Sequence, residues 1–172
     1  MSIYAITVPC FAQMLRSLQG LLSKGEAHAS ELAYDSQNLL DARLAPDMHT
    51  LATQIRFACT QAQESVQRLT HQPLPVLSTP VTLSETHGLI EQTLQALALA
   101  DRELIDSSER VVSIELPDGV IFDMTAHEYA VNWAIPQFYF HLMTAYNILR
   151  HNGVPLGKAD YVPHMFAFVR AQ

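Results

Sequence analysis

Hydrophobic positions recur every three or four residues in four separate stretches of the chain, which is the spacing of one face of an α-helix. The first stretch follows Thr7, a candidate N-cap, and Pro9, which the first turn of a helix tolerates. Gly25 is expected to break or bend this helix before a further short helical run over residues 26–34. The apolar positions of the first face are Val8, Phe11, Leu15, Leu18 and Leu22.

The second stretch has the most regular amphipathic pattern. A turn containing Pro46 precedes it, with Asp47 as the expected N-cap. Its apolar positions are Leu51, Ile55, Ala58, Ala62, Val66 and Leu69. An extended linker should follow, because each proline disfavours helix in the residue before it. The linker prolines are Pro73, Pro75 and Pro80.

The third stretch opens with a capping-box pattern. Thr82 and Glu85 have the spacing at which each side chain accepts a hydrogen bond from the other's backbone N–H. The helix is expected to continue through the apolar positions Ile90, Leu94, Leu97 and Leu104.

The spacing of the hydrophobic positions no longer follows the helical period over residues 110–124. Two short apolar runs flank Pro117-Asp118-Gly119, a pattern that predicts a β-hairpin with a glycine-containing turn. A last long helix is expected from about Thr125 to Arg150. Pro136 should kink it or mark its true start, and Asn152-Gly153 should end it.

Four long helices joined by short or polar connections predict one all-α domain over residues 1–172. The expected architecture is an antiparallel four-helix bundle, with the hairpin as a short excursion before the last helix.

Composition narrows the classes of function. The chain is 49% hydrophobic and has a formal net charge of −7. Its lysines and arginines are scattered, which argues against a nucleic-acid partner. We find no signal-peptide pattern and no run of eighteen apolar residues, so we expect a cytoplasmic protein without a membrane span. Cys10 and Cys59 lie in apolar helical contexts and are expected to be buried free thiols.

Of eight histidines, His141 has the most informative setting. Gln137 lies four residues before it, hence on the same helical face, and apolar neighbours suggest that this face points inward. Unpaired burial costs about 1–3 kcal/mol per polar group, so the pair needs partners or a ligand. The alternative is a satisfied hydrogen-bond network that fixes helix register.

The C-terminal half carries a family resemblance. Gln137-x3-His141 followed by Leu149-Arg150-x2-Gly153-Val154 resembles the final helix of the DinB/YfiT-like metalloenzyme superfamily. A branch of uncharacterised bacterial proteins, a domain of unknown function, is similar over nearly the whole length. The segments that carry this similarity are Leu44–Met48, Gln54, Phe138–His141, Thr144–Tyr146, Leu149–Val154 and Gly157–Tyr161. The resemblance implies a four-helix bundle.

The superfamily site consists of three histidines, one on the second helix and a pair four residues apart on the last. Position 141 keeps its histidine, but position 137 is glutamine, and the second helix offers Gln54 and Arg56. His49 lies about a turn before Gln54. An amide oxygen is a poorer ligand than imidazole for zinc or nickel. We therefore expect a DinB-like scaffold without a tightly bound metal or other cofactor.

Three functional hypotheses follow. The favoured one is a polar pocket of Gln54, Gln137 and His141 that binds a small molecule or only waters. The second is a metal-dependent thiol transferase or isomerase, which the resemblance implies, using His141 with His49 and a carboxylate or a weakly held zinc or nickel ion. The third is a structural or interaction protein that forms a homodimer. Its candidate contact residues are Tyr4, Met14, Trp133 and Tyr139.

Overall fold

A computed structural model describes residues 1–109 and 111–170. Within these ranges the chain is mostly helical, with a small two-stranded antiparallel sheet. The elements in chain order are α1 (Ile3–Ile6), α2 (Val8–Glu31), α3 (Asn38–Asp41), α4 (Leu51–Thr70), α5 (Leu83–Ala98), α6 (Arg102–Asp106), β1 (Val111–Glu115), β2 (Ile121–Thr125), α7 (Ala126–Tyr129), a π-helical turn (Ala130–Ala134), α8 (Ile135–His151), α9 (Lys158–Tyr161) and a 3-10 helix (Pro163–Phe168).

The first long helix continues through Gly25, so the predicted break and the separate run over residues 26–34 are wrong. A Cβ at position 25 would lie 3.2 Å from Leu39 Cδ1 and 3.3 Å from Leu149 Cδ2. The missing side chain therefore allows α3 and α8 to approach α2 closely. Close packing, rather than helix termination, explains this glycine.

The predicted N-caps of the first two long helices are confirmed only in part. Thr7 holds the N-cap position of α2, but its hydroxyl donates to the Ile3 carbonyl at 2.7 Å within the preceding helical turn and makes no hydrogen bond to α2. Asp47 precedes α4 by several residues, and Thr50 caps this helix instead, because its Oγ1 accepts the backbone N–H three residues later. In the first segment, a hydrogen bond to the preceding helical turn competes for the Thr7 hydroxyl. In the second segment, the Thr50 hydroxyl lies closer to the start of the helix than Asp47 does. The apolar pattern reveals neither.

The start of α5 was predicted correctly, but its end was not. Thr82 Oγ1 accepts the Glu85 N–H at 3.1 Å, whereas the Glu85 carboxylate accepts the Val81 N–H at 2.8 Å instead of that of Thr82. The helix ends at Ala98, and Leu104 lies in α6 with its side chain 53% exposed.

The predicted hairpin is confirmed for the part of residues 110–124 that the structure describes; Arg110 lies outside it. The strands β1 and β2 pair antiparallel, from Val111 opposite Thr125 to Glu115 opposite Ile121. Gly119 takes a φ of +84° in the turn, a conformation that favours glycine.

The last helical segment begins with a complete capping box between Thr125 and Glu128. The disturbance expected at Pro136 takes the form of the π-helical turn directly before α8, since proline has no N–H to donate to the preceding turn. The helix ends at His151, and Gly153 follows with a φ of +90°, as predicted.

The long helices α2, α4, α5 and α8 surround a shared core. Helix α4 packs against α5 and α8, and α2 packs against α4, α5 and α8. Phe11 of α2 and Phe138 of α8 meet with ring centroids 4.4 Å apart. Within residues 1–109 and 111–170, no helix is long and apolar enough to cross a bilayer.

The candidate dimer-contact residues and the two cysteines differ in burial. Met14 is 2% exposed and cannot supply a dimer contact, while Tyr4, Trp133 and Tyr139 are half-buried against the core. Cys59 is buried as predicted, but Cys10 is only half-buried.

Candidate functional site

The packing of α4 against α8 brings Gln54 and His141 together. Gln54 lies on the buried face of α4 beside Ile55, and His141 lies one turn after Phe138 on the inner face of α8. His141 Nδ1 and Gln54 Oε1 are 2.8 Å apart, a good hydrogen-bond distance. Two of the three predicted pocket residues are therefore in direct contact.

The contacts of Gln54 set the protonation of the imidazole. Gln54 Nε2 donates to the His49 carbonyl at 3.5 Å, which turns the amide oxygen towards His141. An amide oxygen can only accept, so Nδ1 must carry the hydrogen. Nε2 of a neutral His141 is then a hydrogen-bond acceptor.

His141 is held neutral by its surroundings. Phe57 stacks on the imidazole, with ring centroids 4.8 Å apart and an interplanar angle of 24°. Burial, and then the positive charges of His49 and Arg56, lower the pKa of His141 to about 4. The side chain therefore offers a lone pair rather than a positive charge at neutral pH.

Cationic and aromatic side chains surround the imidazole. The Arg56 guanidinium carbon lies 4.0 Å from the Phe57 ring centroid, at a distance typical of a cation–π contact. His49 is exposed, and its ring centroid is 5.2 Å from that of Phe57. The rings of Phe140 and His141 are nearly perpendicular, with centroids 5.3 Å apart, and Phe140 is 58% exposed. The site thus combines one neutral acceptor, positive charge and an exposed apolar ring.

Gln137 is placed differently from the other two predicted residues. It is half-buried one turn before His141, and its side chain makes no hydrogen bond to any described residue. The contact expected of His141 is therefore made by Gln54 alone.

The donor set does not fit the three-histidine metal site that the resemblance implies. His141 is the imidazole of the inner face, its Nδ1 is bonded to Gln54, and His49 lies outside α4 on the surface. Among the side chains that the structure describes, no three His, Cys, Asp or Glu converge as metal ligands. These side chains therefore do not form the superfamily's metal-ligand set, and the metal content stays a prediction.

A family model for a domain of unknown function, DUF1993, matches residues 3–162. This chain belongs to the DUF1993 family. A crystal structure of a DinB family member protein from Shewanella denitrificans is 37% identical to it, with a TM-score of 0.85 over 92% of this chain and 90% of that chain. The predicted resemblance to DinB proteins is thus confirmed. No curated protein matches the DUF1993 chain.

Sequence reasoning missed one important residue of the DUF1993 site and undervalued another. Phe57 follows Gln54 by three residues and so shares its side of α4, which was a usable signal. Arg56 was noted only as a neighbour, because nothing in the sequence shows that its guanidinium lies over Phe57.

Proposed function

We propose that this DUF1993 protein binds a small molecule at a DinB-type site in which a Gln54–His141 pair stands in place of a metal centre. The 2.8 Å contact between His141 Nδ1 and Gln54 Oε1 carries the proposal. It fixes a neutral imidazole whose Nε2 can accept a hydrogen bond from a ligand. No described residue hydrogen-bonds to Nε2.

The scaffold proposed for this site is the antiparallel four-helix bundle of the DinB type, in one cytoplasmic domain. The mutual packing of α2, α4, α5 and α8 supports this arrangement. A site between facing helices is a usual place for ligands in helical bundles.

The neighbouring Gln137 adds a second anchor. Its amide lies one turn from His141 on the same helix and has both donor and acceptor atoms. A ligand that donates to His141 Nε2 can also form a hydrogen bond with this amide. Both polar groups are then paired, and their burial does not incur the free-energy cost of an unpaired polar group.

Metal analysis and mass spectrometry of untagged protein test the proposal. We expect no stoichiometric zinc, nickel or iron, and a co-purified small molecule in native spectra. His141→Gln should lose this molecule. His151→Gln, an exposed change at the end of α8, is the matched control and should keep it. Stoichiometric metal that His141→Gln removes would overturn the proposal in favour of the metal-dependent enzyme.

We also propose that the protein is a homodimer, the third hypothesis from the sequence. Phe166 and Phe168 near the C-terminus are 64% and 78% exposed, and exposed apolar clusters often mark protein contacts. Light scattering at micromolar concentration should give twice the chain mass of 19.2 kDa. A monomer mass would refute the dimer and leave the binding site unaffected.

A further inference from the structure

The guanidinium of Arg56 lacks a carboxylate partner within the described part of the chain. Arg56 and Arg68 are the two half-buried arginines there, and both lie on α4. Arg68 pairs with Glu64 at 3.2 Å, whereas the Nε of Arg56 is buried without a hydrogen-bond partner. A buried cationic donor is costly unless an anion or another acceptor binds it. Arg68 has such an acceptor in Glu64, whereas Arg56 has none among the described residues.

The immediate surroundings of Arg56 favour an anion from outside the chain. The protein has seventeen acidic residues and a formal net charge of −7, yet the charged groups acting on His141 are His49 and Arg56. Because the Nε is buried, a ligand from outside must use the two terminal nitrogens of Arg56. A guanidinium that already packs over an aromatic ring holds these N–H donors side by side, in the arrangement that suits a carboxylate.

We infer that the ligand of the site is a small carboxylic acid whose carboxylate binds Arg56 while a hydroxyl or amino group donates to His141 Nε2; this inference rests on the proposed function. Both protein groups pack on Phe57, at 4.0 Å and 4.8 Å from its ring centre. Contact with the same ring keeps the two protein groups within the reach of one small molecule. The exposed ring of Phe140 offers apolar contact to the remainder of such a ligand.

Mandelate, mandelamide and phenylacetate form a matched set of probes for this inference. Mandelate carries both groups, mandelamide lacks the negative charge, and phenylacetate lacks the hydroxyl. By calorimetric titration of the full chain, we expect mandelate to bind at least about tenfold more tightly than either analogue, since mandelamide loses the charge-assisted contact with Arg56 and phenylacetate loses the donor to His141. This comparison needs no variant and so does not depend on the folding of a mutant.

Arginine variants then assign the carboxylate contact. Arg56→Gln should weaken mandelate binding at least about tenfold. Arg16→Gln, an exposed change of the same charge on α2, is the matched control and should bind as the wild type does. An equal loss in both variants would overturn the inference, because it would reflect net charge alone.

The remaining outcomes separate the inference from the proposed function. If mandelamide binds as tightly as mandelate and His141→Gln abolishes both, the carboxylate inference is wrong and the proposed function stands. If mandelate does not bind at millimolar concentration, the inference is also wrong. Stoichiometric metal at His141 would refute the proposed function itself, whatever the affinity for mandelate.

Discussion

Lowering the pH from 7 to 4 should destabilise the fold in part through one side chain, His141. Its pKa is about 4 in the folded protein, against 6.5 for an unperturbed histidine. Between these values the unfolded chain binds a proton that the folded protein does not bind. The contribution of His141 to stability is therefore complete above pH 6.5 and is lost as the pH falls towards 4.

The size of the effect follows from the difference between the two pKa values. Taken in full, that difference corresponds to about 3 kcal/mol. His141 is only half-buried, so water screens part of the penalty, and we expect a loss of about 1–2 kcal/mol. After burial itself, the neighbours whose charge opposes protonation of His141 are His49 and Arg56.

Urea unfolding followed by circular dichroism at pH 7, 6, 5 and 4 measures this loss. His141→Gln keeps a donor that can reach the Gln54 oxygen but removes the titrating group. The free energy of unfolding of this variant should therefore fall less than that of the wild type, by about 1–2 kcal/mol at pH 4. His151→Gln, an exposed control, should follow the wild type. Parallel pH profiles for wild type and His141→Gln would refute the reasoning.

Four further predictions concern stability and thiol reactivity. Gln54→Leu leaves the imidazole N–H without its acceptor and should lower the free energy of unfolding by about 1–3 kcal/mol in urea titrations; an unchanged value would contradict the pairing. Gly20→Ala should raise that free energy by about 0.5–1 kcal/mol, because the site is open and helical. Gly25→Leu should lower it by about 1–3 kcal/mol through overpacking, and changes of the same sign at both glycines would contradict this account. A thiol reagent should modify Cys10 well before Cys59, whose pKa burial raises to about 12, and equal rates would show that the second thiol is accessible.

Much of the fold could be predicted because its signals are local. The four long helices followed from apolar spacing, and the hairpin followed from two apolar runs around a glycine turn. Errors fell where another local device competed with the pattern. Thr50 rather than Asp47 caps α4, and α5 ends at Ala98 although apolar spacing continues to Leu104.

The candidate site was only partly predictable, because some of its contacts are not local in the sequence. The inward face shared by Gln137 and His141 followed from helical periodicity, whereas Gln54 and the missing second imidazole at position 137 followed from the resemblance to DinB proteins. The missed ring of Phe57 and the position of the Arg56 guanidinium depend on side-chain packing across α4 and α8, which a sequence pattern does not encode.

The sequence by itself determined which residues could face inward and which ligand types they offer, since both depend on side-chain chemistry and helical period. Only the tertiary structure decided that His141 pairs with Gln54, 87 residues away, and not with Gln137 one turn away. Residues four apart on one helix project in nearly parallel directions, whereas side chains on two packed helices point towards each other. The hydrogen bond therefore forms across the interface between α4 and α8, where burial makes an unpaired polar group costly.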